Sequence, residues 1–97
     1  MRFVRLTIHG RVQGVGFRAF VEYEAVHRGL EGWVRNRRDG SVETLIAGNE
    51  RVVDEMIEVC RRGPTVARVE RMDIEDAGVG DLARRAPGER FSVLQTG

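Results

Sequence analysis

The stretch GRVQGVGFR, Gly10 to Arg18, joins an alternating apolar run to a run with helical spacing. Glycines followed by an arginine at such a junction are the residue types that seat an anion. The first N–H groups of a helix have no intrahelical acceptor and lie at the positive end of its dipole. Gly14 and Gly16 can take positive φ, so the amides of Gln13, Gly14, Val15, Gly16 and Phe17 can turn inward as a concave nest around phosphate oxygens. Arg18, in the first helical turn, adds a fixed cation whose planar fork of donors suits phosphate. Each feature alone has a plainer reading, since glycines often make only a tight connection and a helix arginine is usually solvated. Gly14 to Ala19 also fits the dinucleotide fingerprint G-x-G-x-x-A, but that pattern needs a doubly wound sheet that 97 residues cannot build. The phosphate half of that logic survives, because it rests on the helix terminus rather than on the fold.

Composition narrows the remaining chemistry. Sixteen basic residues face fifteen acidic ones, so a net charge of +1 supplies no global field for nucleic acid, and any anion site must be local. Every basic residue is Arg, which excludes a lysine nucleophile, a Schiff base and a P-loop lysine together. Cys60 is the only cysteine, and with only His9 and His27 beside it no metal-ligand spacing appears, so neither a disulfide nor a structural metal is expected. A hydrophobic fraction of 41% with 32% charged residues suits a globular domain. No apolar run approaches the roughly 20 residues of a membrane span, and MRFVRLTIHG lacks the continuous apolar core of a signal peptide. A cytoplasmic location is expected, and the whole chain, residues 1–97, is expected to form one domain.

The elements that must position the loop can be read in order. RFVRLTIH alternates, with Val4, Leu6 and Ile8 on one face, as a half-buried strand does. FRAFVEYEAVHR follows the glycines as a helix ended by Gly29, with Phe17, Phe20, Val21 and Ala25 in one arc that Glu24 and Arg28 interrupt. LEGWVRN and SVETLIAG are strands that pair antiparallel across Asp39-Gly40. Asn49 caps a second helix, in which Val52, Val53, Met56, Ile57 and Cys60 recur at helical spacing until Gly63-Pro64. ARVERMDIE is a fourth strand, Ala77 to Glu89 reads as a loop, and RFSVLQ closes the chain as a short strand. The fold class is therefore α+β, the ferredoxin-like split βαβ sandwich: two helices on one face of an antiparallel sheet, with an extra C-terminal strand. In that plan the first and second strands run parallel with the third between them. The glycine loop and Asn36 then face each other across two strand spacings, roughly 10 Å.

With these residues in view, the sequence resembles the acylphosphatase family. GRVQGVGFR is similar to its phosphate-binding signature, and GLEGWVRNRRDGSVE, Gly29 to Glu43, resembles its second signature. The spacing between them, the later Gly63-Pro64 followed by Ala67 and Val69, and the terminal FSV extend the resemblance over nearly the whole chain. The resemblance implies a ferredoxin-like fold and hydrolysis of the carboxyl-phosphate bond of acyl phosphates. It implies that Arg18 binds the phosphoryl group and Asn36 holds the attacking water. It also implies a small-molecule substrate with no cofactor, and inorganic phosphate as product and competitive inhibitor. The same module also forms the N-terminal domain of larger carbamoyltransferases, but a free-standing monomer is expected here.

Such a reaction needs little from acids or bases. The carboxylate leaving group of a mixed anhydride departs without a proton, and the main task is to hold a dianion while water approaches in line. Asn36 can orient water but is too weakly basic to deprotonate it. On the family's pattern the substrate's own phosphate oxygen takes that proton. His9 and His27 lie in neither signature and are read as structural or solvated. Two rival readings remain. A nucleic-acid binder would exploit Arg35, Arg37 and Arg38, but only Trp33 and Phe91 could serve as stacking platforms. A regulatory module would bind a phosphorylated metabolite without turning it over. Trp33, Leu30 and Val34 are assigned to packing, and Cys60 to the apolar face of the second helix.

Overall fold

The structure, a computed structural model, describes residues 1–97. Its order is β1 (Arg2–Arg11), α1 (Phe17–His27), β2 (Glu31–Asn36), β3 (Val42–Gly48), α2 (Glu50–Arg62), β4 (Arg68–Asp76), a short 3-10 helix (Val79–Arg84) and β5 (Phe91–Val93). The five strands form one sheet in the order β4-β1-β3-β2-β5. β1 pairs antiparallel with β3 and β4, and β2 pairs antiparallel with β3, so β1 and β2 run parallel with β3 between them as expected. β5 pairs parallel with β2, from Gly32 opposite Phe91 to Val34 opposite Val93, which makes the sheet mixed rather than wholly antiparallel.

Side-chain alternation divides the sheet into two faces. Val4, Leu6, Ile8, Val34, Val42 and Ile46 meet Phe17, Val21 and Ala25 of α1 and Val53, Met56, Ile57 and Cys60 of α2 in the main core. Glu24 and Arg28, which interrupt the apolar arc of α1, form an ion pair at 2.6 Å, and Arg28 reaches Glu55 of α2 at 2.8 Å. The intruding charges thus tie the two helices together at the rim of the core. α2 starts at Asn49, whose side chain accepts from the N–H of Arg51 at 2.9 Å, as an N-cap does.

The opposite face carries a second, smaller cluster of Trp33, Leu45, Ala47 and Leu82. Here the expectation for Ala77 to Glu89 needs correction. The segment contains the 3-10 helix, which lays Leu82 over Trp33 and accepts the indole N–H on the Asp81 carbonyl at 2.8 Å. Trp33 is buried, as assigned, but beneath this cover rather than beside α1, whereas Leu30 and Val34 do lie in the helix-side core. The β2–β3 connection is closed by Arg37 N–H to the Ser41 carbonyl at 2.8 Å and Gly40 N–H to the Arg37 carbonyl at 3.1 Å. Gly40 has φ 95°, so the turn ends in a residue that only glycine adopts readily.

Candidate active site

β1 feeds α1 through Val12 to Gly16, and this connection adopts the conformation its glycines permit. Gly14 has φ 74° and Gly16 has φ 80°, both in the left-handed region. A Cβ at either would meet no atom within 4 Å, so backbone conformation, not crowding, calls for glycine there. Gly16 is the N-cap of α1 and has no side chain to cap it. The first bond α1 closes is Phe20 N–H to the Gly16 carbonyl at 3.0 Å, which leaves the N–H groups of Phe17, Arg18 and Ala19 ahead of it without an intrahelical acceptor. The N–H groups of Gln13, Gly14, Val15 and Gly16 also make no hydrogen bond within the protein. A continuous set of donors therefore lies at the positive end of a helix dipole.

A cavity of about 480 Å³ opens over these donors, lined by Val12, Gly14, Gly16, Phe17, Arg18, Ala19, Glu22, Asn36 and Val93. Arg18 comes from the first turn of α1 and Asn36 from the last position of β2, so the ferredoxin-like topology brings the two together across the sheet edge. The Arg18 guanidinium forms no ion pair with any carboxylate of the protein. The backbone of Asn36 is held on both sides: it pairs with Val42 of β3, and its carbonyl accepts from Gly97 N–H at 3.0 Å. Its side-chain amide makes no hydrogen bond to the protein. One cation and one amide, each without a protein partner, thus face the same cavity.

Gln13 and Val15 stand apart from the other loop residues, for neither lines the cavity. The Gln13 side chain donates to the carbonyls of Arg37 at 2.7 Å and Ser41 at 2.9 Å, strapping the glycine loop to the β2–β3 turn just beyond Asn36. Val15 packs against the main core. Glu22 is the functional candidate that motif reading overlooks. It lies four residues after Arg18, and that spacing places two side chains on one helix face.

Several other titratable groups are engaged elsewhere. Arg35 and Arg37 share the nearly buried Glu43 at 2.7 and 3.0 Å, which engages two members of the basic cluster within the protein. His9 contacts Asp73 at 3.1 Å on the sheet, and His27 contacts the Tyr23 carbonyl at 3.0 Å on α1. Burial pushes the Cys60 thiol up to about 12, so it stays protonated and packs as a small hydrophobe. No group of three or more His, Cys, Asp or Glu side chains converges as metal ligands, and no helix is long and apolar enough to cross a membrane.

An α+β sandwich with unpaired amides, an arginine and an asparagine around one cavity has the donors that an oxyanion requires, and comparison with known proteins gives the family. The chain belongs to the acylphosphatase family, whose profile, described as Acylphosphatase, matches residues 4–85. An acylphosphatase from Rhodopseudomonas palustris strain BisB18 is 60% identical over 95% of this chain and 93% of its own. One from Bradyrhizobium diazoefficiens is 56% identical over 96% of this chain and 94% of its own. The crystal structure of acylphosphatase from Bacillus subtilis superposes with a TM-score of 0.83 at 39% identity, covering 97% of this chain and 99% of that one. The protein is accordingly a hydrolase of acyl phosphates.

Proposed function

We propose that the chain hydrolyses the carboxyl-phosphate bond by in-line attack of a water positioned by Asn36 on a phosphoryl group gripped by the glycine loop and Arg18. The observation that carries this reading is the convergence on one cavity of Arg18 and Asn36, both without protein partners, beside amides that lack acceptors. The phosphoryl oxygens would take hydrogen bonds from the loop amides and from the Arg18 fork, and the guanidinium would balance their charge as it shifts in the transition state. Asn36 would fix the water on the face opposite the leaving carboxylate, converting a diffusive encounter into an aligned one. The carboxylate leaves unprotonated, and a phosphoryl oxygen accepts the proton of the attacking water.

Because guanidinium and amides supply the positive charge, turnover needs no added metal and inorganic phosphate competes for the nest. The test is phosphate release from benzoyl phosphate with and without a chelator. Equal rates are expected. Activity that chelation abolished and a divalent ion restored would contradict this charge balance, and phosphate binding without any release would favour the regulatory module.

A further inference from the structure

We infer that Glu22 selects the acyl group, making this enzyme discriminate against acyl phosphates whose acyl part carries a negative charge and favour those with a neutral or cationic one. The inference rests on the phosphoryl position proposed above. If the loop amides and Arg18 hold the phosphoryl group, the rest of the cavity wall must meet the acyl group, and that wall includes Ala19, Glu22 and Val93. Four residues along α1 displace Glu22 about 6 Å from Arg18 along the helix axis, away from the anion-binding terminus. Arg18 and Glu22 are the only charged residues of the lining. Neither forms an ion pair with the other or with any other side chain. Once a phosphoryl dianion occupies the nest, Arg18 is neutralised by it, and the carboxylate of Glu22 is the charge that an acyl substituent meets. A carboxylate kept free of partners beside an otherwise small and apolar wall does nothing for packing. It repels an anionic substituent and attracts a cation or an N–H donor.

The experiment compares kcat/KM for benzoyl phosphate, 4-carboxybenzoyl phosphate and 4-(aminomethyl)benzoyl phosphate, each divided by its uncatalysed hydrolysis rate. The three share a benzoyl core, and the two para-substituted ones are close in size and opposite in charge at the far end of the acyl group. For charges about 7 Å apart in a partly solvated cavity, wild type is expected to favour the cationic over the neutral substrate, and the neutral over the anionic, by about three- to tenfold per step. The preference should shrink as salt is raised. Glu22→Gln should collapse both ratios toward one, and Glu22→Lys should invert them. Each ratio is taken within a single protein, so a general loss of activity cancels. A wild type indifferent to the acyl charge, or a preference that Glu22→Gln leaves intact, would overturn the inference. So would a uniform loss of kcat in Glu22→Gln with unchanged ratios, which would assign the carboxylate to proton transfer. Failure of wild type to hydrolyse benzoyl phosphate at all would instead defeat the proposed activity, so the two failures are distinct.

Discussion

Replacing Arg18 by Gln should lower activity while raising stability, because the charge serves the ligand at the expense of the helix. With Gly16 as N-cap, Arg18 is the second residue of α1, so its positive charge lies at the positive end of the helix dipole. No carboxylate compensates it. Removing a charge so placed should stabilise the free protein by about 0.3–1 kcal/mol. In a domain of this size that is an increase in Tm of roughly 1–8 °C. On the proposed mechanism the same substitution removes the one cation facing the phosphoryl group, and loss of one preorganised donor typically costs about 10²- to 10³-fold in rate, or about 2.7–4 kcal/mol. Arg18→Lys should not restore that rate, since it keeps the charge but loses the planar fork. Thermal melts in phosphate-free buffer and kcat for benzoyl phosphate test both halves. Adding phosphate should raise the Tm of wild type more than that of the variant, because bound ligand stabilises only the folded state. Near-normal kcat in Arg18→Gln would remove Arg18 from the site, and a lowered Tm in phosphate-free buffer would mean that its charge holds the fold together.

Gly16→Ala places a side chain at φ 80° with open space around it, so only the backbone preference opposes it. The variant should fold with about 1–2 kcal/mol less stability and weaker inhibition by phosphate, read from denaturant melts and inhibition assays. Gly32→Ala, whose Cβ would strike the Leu45 carbonyl oxygen, should by contrast fail to give folded protein. Asp39 accepts from the Ser41 hydroxyl at 2.6 Å and from Ser41 N–H at 2.9 Å, and these bonds hold its carboxyl below the ordinary carboxylate value of 3.8. A depressed folded pKa contributes stability that is present above the unfolded value and lost as pH falls through the folded one. The stability gap between wild type and Asp39→Asn should therefore be constant near neutrality and close below about pH 4, and a gap unchanged in acid would show that the turn does not depend on the carboxylate's charge.

The parts of this molecule that were legible in the sequence are those where one local rule governs. Val4, Leu6 and Ile8 alternate because one face of β1 is buried, and Gly14 and Gly16 take the positive φ that glycine adopts readily. Asn49 caps α2, where the apolar spacing is unbroken. Features that depend on tertiary docking were hidden. The 3-10 helix at Val79–Arg84 has a single buried residue, Leu82, so no periodicity announces it, and its seat is set by Trp33 from a distant strand. The parallel direction of β5 was illegible because three residues carry no directional signal. Arg18 and Asn36, singled out through their signatures, both line the cavity, whereas Glu22 lies in no signature and emerges only when the rotation of α1 against the sheet is known. Gln13 was expected to contribute only a backbone amide, and its side chain instead braces the loop against the Asn36 hairpin.

On the proposed mechanism Asn36→Ala should separate holding the water from holding the phosphate, and the decisive measurement pairs inhibition by inorganic phosphate with kcat for benzoyl phosphate in that one variant. The backbone of Asn36 is fixed by Val42 and Gly97 and its side chain bonds to nothing in the protein, so the fold should tolerate the change. Phosphate should inhibit the variant as it does wild type, while kcat falls by at least roughly 10²-fold, the expected cost of leaving a reactant to find its in-line geometry unaided. Weakened inhibition by phosphate would make Asn36 a phosphate ligand, and an unchanged kcat would leave the attacking water without a holder and contradict the mechanism.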